Sequence, residues 1–213
     1  MSQENVNQPR FFGRRKGKPL RAGRAELLET LLPAVRFSGL PEGAGEAWLE
    51  IGFGAGEHVA ELAAANPSRL FVGAEVFVNG IASMLRHISE RGLRNVRLIA
   101  DDVRGAYPLF PDGSLARAYL LFPDPWPKTR HESRRFVNPG NLDFLARALR
   151  AGGQFIVASD CDFYIAWTRA RLAERAEFRE TYASSAPPEG WVPTRYERKA
   201  KAGPPFYLIY ERV

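Results

Sequence analysis

The chain has 213 residues, 45% hydrophobic and 12% aromatic, with 30 Lys and Arg against 24 Asp and Glu for a formal charge of +6. That length supports one well-cored domain. A single Cys161 excludes an internal disulfide or thiolate cluster, His58, His87 and His131 lie scattered, and no apolar run approaches a membrane span, so we expect a cytoplasmic protein with neither metal nor membrane as partner.

Residues 1–24 are polar and basic; Arg10, Arg14, Arg15, Lys16, Lys18, Arg21 and Arg24 follow one another without an acid. This predicts a flexible N-terminal segment ahead of a single domain over 25–213. Leu27, Leu28, Leu31 and Leu32 repeat at helical spacing between Arg24 and about Val35, and 41–45 reads as a loop. Apolar runs then predict strands at 47–54, 70–76, 96–100, 115–122, 154–159, 178–184 and 206–213. Helices are predicted at 57–65, 79–91, 141–153, where Gly152 and Gly153 supply a stop, and 162–176. Strand–helix alternation with continuously apolar strands indicates a mostly parallel, doubly wound α/β sheet with helices on both faces. Two strands close the chain with no helix between them, which predicts an antiparallel last strand. Ligands of such sheets bind at the C-terminal ends of the strands.

The first strand ends in LEIGFGAGEH, where Gly52, Gly54 and Gly56 alternate into a helix. Such a loop either lets a ligand approach the backbone or simply makes a tight turn. A dinucleotide fingerprint would place its third glycine one residue later, where Glu57 stands. Glu50 at the pocket mouth would oppose a pyrophosphate but not a cationic ligand. Glu75 lies 23 residues after Gly52, where acids of dinucleotide folds accept from ribose hydroxyls about 20 residues on. Ribose, no phosphate and a positive charge describe S-adenosylmethionine better than NAD. Asp101 and Asp102 end the third strand; either they cap the next segment, or Asp102 accepts from an adenine amino group.

After the fourth strand comes FPDPWPKTRHESRR, residues 122–135. Pro123, Pro125 and Pro127 end regular structure and hold Asp124 in a stiff loop. Trp126 can stack on a base or belong to the core. Lys128, Arg130, Arg134 and Arg135 form one basic cluster, and Arg195, Arg198, Lys199 and Lys201 another; with the N-terminal run they point to a polyanion partner.

Taken together, EIGFGAGEH (50–58), GAEV (73–76), FPDPWPKTRHESRR (122–135), ASD (158–160) and TRYERKA (194–200) resemble, in order, the motifs of the bacterial tRNA (guanine-N7-)-methyltransferases, the TrmB family. The likeness spans roughly residues 46–213. It implies a Rossmann-like class I methyltransferase that moves a methyl group from S-adenosylmethionine to N7 of guanine 46 in the tRNA variable loop. Carried over by residue, it places Glu50, Gly52, Gly54, Gly56, Glu75, Asp102 and Asp124 at the cofactor, with Asp124 also catalytic. It places Lys128, Arg130, His131, Arg134, Arg135, Asp160, Thr194, Arg195, Tyr196 and Glu197 at the tRNA. Ser133 stands where the family commonly has lysine, and Ser159 precedes Asp160 where a threonine is more usual.

Guanine N7 has a lone pair and no proton to lose, so the reaction needs positioning rather than a strong base. A carboxylate at Asp124 can accept from the N1–H and amino edge of guanine and favour the charge that develops on the ring. The basic cluster would grip phosphates, and His131 reads as a hydrogen-bonding loop residue. Asp160 can face the same rim or cap the helix beginning near Asp162. Thr194 and Glu197 can contact ribose and base or lie in a solvated loop. Monomer and homodimer both remain open.

Overall fold

A computed structural model describes residues 12–40, 46–197 and 203–213. The expected 41–45 loop, the first eleven residues with Arg10, and Arg198, Lys199 and Lys201 lie outside the described residues.

The helical spacing near the start becomes α1 (Ala22–Thr30) and the short α2 (Leu32–Val35), split where Pro33 enters the second. Then follow β1 (Ala47–Ile51), α3 (Glu57–Ala65), β2 (Phe71–Ala74), α4 (Val78–Arg91), β3 (Val96–Ile99) and β4 (Leu115–Leu121). The second half holds α5 (Pro139–Ala148), β5 (Leu149–Ser159), α6 (Asp162–Ala173), β6 (Phe178–Ser184) and β7 (Phe206–Arg212). Two 3-10 segments, Val103–Leu109 and Thr129–Arg134, occupy stretches without apolar periodicity.

The seven strands run in the order β3-β2-β1-β4-β5-β7-β6. β1 to β5 are mutually parallel, and β7 is antiparallel to both β5 and β6. β7 does not cap the sheet edge; it is inserted between β5 and β6. Direction along the sheet reverses between β1 and β4, which makes a crevice at their C-terminal ends.

Alternation on each strand feeds two cores. Leu49, Ile51, Val72, Leu120 and Val157 face one side. Trp48, Phe71, Leu98, Tyr119 and Ile156 face the other, against Val59, Met84 and Leu85 of α3 and α4. Glu50 falls on the second side by the same period of two, and this decides its partner below.

The strand expected over 47–54 ends at Ile51 and the helix expected over 162–176 at Ala173, and the α5–β5 junction is misplaced further. The helix predicted to reach Gly153 ends at Ala148, and Leu149 is already extended and paired with Leu115. Gly152 adopts φ 73°, and a Cβ on Gly153 would lie 2.8 Å from the Arg150 carbonyl oxygen and 3.1 Å from that of Leu115. The two glycines therefore shape an irregularity inside the strand, where the register against β4 shifts, rather than a helix stop.

Residues 12–21 precede α1 without regular structure, yet they are tied to α4. The Val78 amide donates to the Arg15 carbonyl, the Gly17 amide to Asn79 Oδ1, and Asn79 Nδ2 to the Lys18 carbonyl.

Candidate active site

A cavity of about 280 Å³ opens at the C-terminal ends of β1 to β4. Gly52 and Gly54 line it from the loop after β1, Glu75 from the end of β2, Asp102 from after β3, and Asp124 and Trp126 from after β4. Residues distant in sequence thus converge because parallel strands all present their C-terminal ends to one crevice.

The glycine loop turns on three left-handed residues, Gly52 (φ 73°), Gly54 (φ 60°) and Gly56 (φ 85°). Gly56 does not line the cavity as expected of it. It starts α3, and a Cβ there would sit 2.4 Å from the Met84 sulfur, so packing on α4 is what demands glycine. Gly80 on α4 has the same role from the other side, since its Cβ would fall 2.1 Å from the Gly54 carbonyl oxygen. Sequence reasoning passed over Gly80 because VNG at the start of a helix carries no motif.

Glu75 braces this loop. Its Oε2 accepts from the Gly54 amide at 2.8 Å, and Oε1 accepts from the Val76 and Phe77 amides at 2.8 and 2.9 Å. Burial raises its pKa, and the Phe77, Gly54 and Val76 amides oppose that rise. The Gly54 amide, which a pyrophosphate would need, is already taken by a carboxylate. A dinucleotide is therefore disfavoured at this loop, whereas a neutral ribose or cationic group fits the acidic lining. Asp102 also lines the cavity, but Arg104 holds its carboxylate through Nε at 2.9 Å and Nη2 at 2.6 Å. Neighbouring Asp101 accepts from Arg15 Nη1 at 3.0 Å, which brings the N-terminal segment to the rim.

Glu50 departs from expectation. It is 6% exposed and bonds His58 Nδ1 at 2.6 Å. It reaches only a small crevice of about 20 Å³ between the glycine loop and residues 194–196. Its strand phase turned it toward α3, where His58 waits.

Thr194 and Glu197 also turn inward. Glu197 Oε2 accepts from Trp191 Nε1 at 2.8 Å and from the Thr194 amide at 3.1 Å, Oε1 accepts from the Tyr207 hydroxyl at 2.6 Å, and the Glu197 amide donates to Thr194 Oγ1. The Trp191 ring packs on His58 and Tyr207. The loop is thus neither solvated nor open at these two residues. Tyr196, 62% exposed and lining the main cavity beside Gly54, and Arg195, 4.0 Å from Glu57, point outward instead.

In the FPDPWPK loop, Phe122 (φ 49°) and Trp126 (φ 43°) are left-handed non-glycine residues on either side of Asp124. Among the described residues Asp124 makes no hydrogen bond or ion pair, and it is exposed at the cavity. Lys128 and Arg130 are exposed beyond it. His131 stands edge-on to Trp126; desolvation and then Arg134, Arg130 and Lys128 lower its pKa. The Arg134 guanidinium lies 4.4 Å from the Phe12 ring and 4.9 Å from that of Trp126. Phe12 was not singled out, because the segment around it is basic and shows no apolar period. Arg135 corrects the expectation of a phosphate contact: it is 1% exposed and faces the loop backbone. Asp160 follows β5 away from the main cavity, and the residue at the start of α6 is Cys161 with no side-chain cap, so Asp160 is not the helix cap. Among the described residues no three His, Cys, Asp or Glu gather as a metal site.

Residues 45–204 match the family model described as "Putative methyltransferase". The tRNA (guanine-N(7)-)-methyltransferase of Paramagnetospirillum magneticum is 46% identical over 97% of this chain and 94% of its own length. That of Rhodospirillum rubrum is 45% identical over 100% and 91%. Among solved structures, the 16S rRNA methyltransferase KamB superposes with a TM-score of 0.57 at 18% identity, over 89% of this chain and 94% of its own. TrmN from Thermus thermophilus gives 0.60 at 17%, over 89% and 48%. At those identities the likeness is one of fold.

Proposed function

The chain belongs to the tRNA (guanine-N7-)-methyltransferases, enzymes that methylate N7 of guanine in tRNA, and from that membership we propose that its target is guanine 46 of the variable loop. The family and fold imply S-adenosylmethionine as the donor. When bound, it supplies a methyl group carried on a sulfonium.

Glu75 is the residue to hold the ribose, because three amide bonds fix its carboxylate while leaving acceptor capacity toward the cavity. Gly52 and Gly54 expose backbone beside it. Asp102 contributes as half of its pair with Arg104, fixing that wall. Glu50 acts at one remove by orienting His58 beneath the glycine loop.

Asp124 carries the reading. Among the described residues it is the one cavity acid of Glu75, Asp101, Asp102 and Asp124 whose carboxylate has no partner, and it is held between two prolines. Its two oxygens match the N1–H and amino edge of guanine, an edge that adenine lacks. The same charge favours the cation formed as N7 takes the methyl group. No base is required, since N7 loses no proton. Trp126 and Tyr196 flank the opening and offer stacking surfaces to the base. Lys128, Arg130 and Arg134 grip neighbouring phosphates, with Arg195 and Asp160 on the outer tRNA path.

Among the described residues no helix is long and apolar enough to cross a membrane. With tRNA as substrate, we place the enzyme in the cytoplasm.

Incubation with labelled S-adenosylmethionine and unmodified tRNA, followed by nucleoside analysis, tests the assignment. We expect 7-methylguanosine, lost when guanine 46 is replaced by adenine. Label that persists in 7-methylguanosine of the replaced tRNA would refute the position.

A further inference from the structure

The left-handed Trp126 needs an explanation. Non-glycine residues hold such conformations only where their surroundings over-determine them. Here the surroundings are a buried guanidinium. Arg135 Nε and Nη2 donate to the Trp126 carbonyl at 3.1 and 3.0 Å, and Nη2 reaches the Lys128 carbonyl at 3.5 Å. The guanidinium carbon lies 4.1 Å from the Trp167 ring centre and 4.7 Å from that of Phe163, both on α6. Trp167 is itself fixed, donating from Nε1 to the Val137 carbonyl at 2.7 Å.

The side chain that the sequence suggests for a phosphate is thus 1% exposed, with Nε and Nη2 spent on the loop backbone and two aromatic rings against it; among the described residues the buried Nη1 makes no hydrogen bond and lies 3.7 Å from Glu132 Oε1. A planar fork with two parallel donors and aromatic packing suits arginine and not lysine.

We propose that Arg135 is a positioning residue for methyl transfer: held by Phe163 and Trp167, it clamps the Trp126 carbonyl, fixes the bend after Pro125, and so aims Asp124 into the cavity. It contributes nothing to phosphate binding. The inference rests on Asp124 meeting the base.

Three variants test it: Arg135→Lys, Phe163→Leu and, as a phosphate-contact comparator, Arg130→Gln. Arg135→Lys is expected to lower kcat on the order of ten- to a hundredfold, the scale of a misplaced reacting group. The slope of log Kd for tRNA against log salt stays as in the parent, and hydrogen exchange over residues 126–135 speeds up. The His131 and Arg135 amides, bonded to the Lys128 and Glu132 carbonyls, report that change. Arg130→Gln should do the reverse, reducing the salt slope by about one and leaving the exchange alone.

Phe163 is 41% exposed, so its leucine variant is expected to fold and to shift kcat and exchange in the same direction by a smaller factor. It carries the test if Arg135→Lys does not fold, as judged by binding of S-adenosylmethionine. A salt slope that falls by about one in Arg135→Lys, with exchange unchanged, would overturn the proposal. So would parental kcat and exchange in both Arg135→Lys and Phe163→Leu. Failure of the Asp124 reading looks different: Asp124→Asn would turn over like the parent while Arg135→Lys still loosened the loop.

Discussion

Asp124 and Arg135 are eleven residues apart in one motif, and burial separates their roles. Asp124 is exposed and has no partner among the described residues; Arg135 is enclosed. Asp124→Asn replaces one acceptor with a donor that opposes the guanine amino group and removes the charge. We expect methyl transfer to fall about a hundredfold or more, the scale seen when one preorganised transition-state contact is lost. Binding of S-adenosylmethionine, followed by calorimetry, should change little, because Glu75 and the glycine loop are untouched. Residue types and spacing in the sequence marked both side chains but could not say which way each faced. Glu50 shows the same limit. Its acid was legible, whereas the strand phase that turns it toward His58 depends on β1 ending at Ile51.

At the scale of elements, the glycine loop and the first turn of α4 act as one part. Gly80→Ala would drive a methyl group into the Gly54 carbonyl. Overpacking costs about 1–3 kcal/mol, against a helix-propensity gain of about 1 kcal/mol. The net loss of about 0–2 kcal/mol should lower the melting temperature by up to roughly 8 °C, at about 2–4 °C per kcal/mol for a chain of this size, while cofactor affinity, read by calorimetry, drops about tenfold or more as the loop shifts. The same helix carries a pH signature. Burial lowers the pKa of His87 below 6.5, its Nε2 has no hydrogen-bond partner among the described residues, and the unfolded chain takes up the proton first. Stability from His87 is complete above about pH 6.5 and declines as pH falls through the window down to the folded pKa. Denaturant unfolding at pH 5 and 7 should show that decline, and His87→Gln should flatten it. Most element boundaries could be read from periodicity and punctuation. The α5–β5 junction could not, because a glycine pair serves a helix stop and a strand irregularity equally well, and only the pairing of Leu149 with Leu115 chooses.

For the whole molecule, the charge of +6 is distributed so that Lys128 and Arg130 are exposed on the rim that bears Asp124. The affinity for tRNA should fall steeply with salt, since each neutralised phosphate contributes a slope of about 0.7 to 0.9 in log Kd against log salt. A filter-binding series between 50 and 200 mM, roughly the range over which such losses become large, checks this; a flat response would remove the basic face from the interface. The parallel architecture and the location of the cavity followed from strand–helix alternation. The place of β7 did not, because local pattern shows that a strand is antiparallel without showing which neighbours it joins.

That placement has a consequence for biosynthesis. β6 leaves the ribosome before β7, yet β7 is its neighbour in the sheet and stands between it and β5. Until residues 206–212 emerge, β6 has no strand to pair with and β5 presents an open parallel edge, the kind of surface that templates association between nascent chains. The intermediate most exposed to misassembly is therefore a five-stranded sheet trailing an unpaired β6. Slow translation through 185–205 would lengthen its life, and the arrival of a single strand would close both seams together.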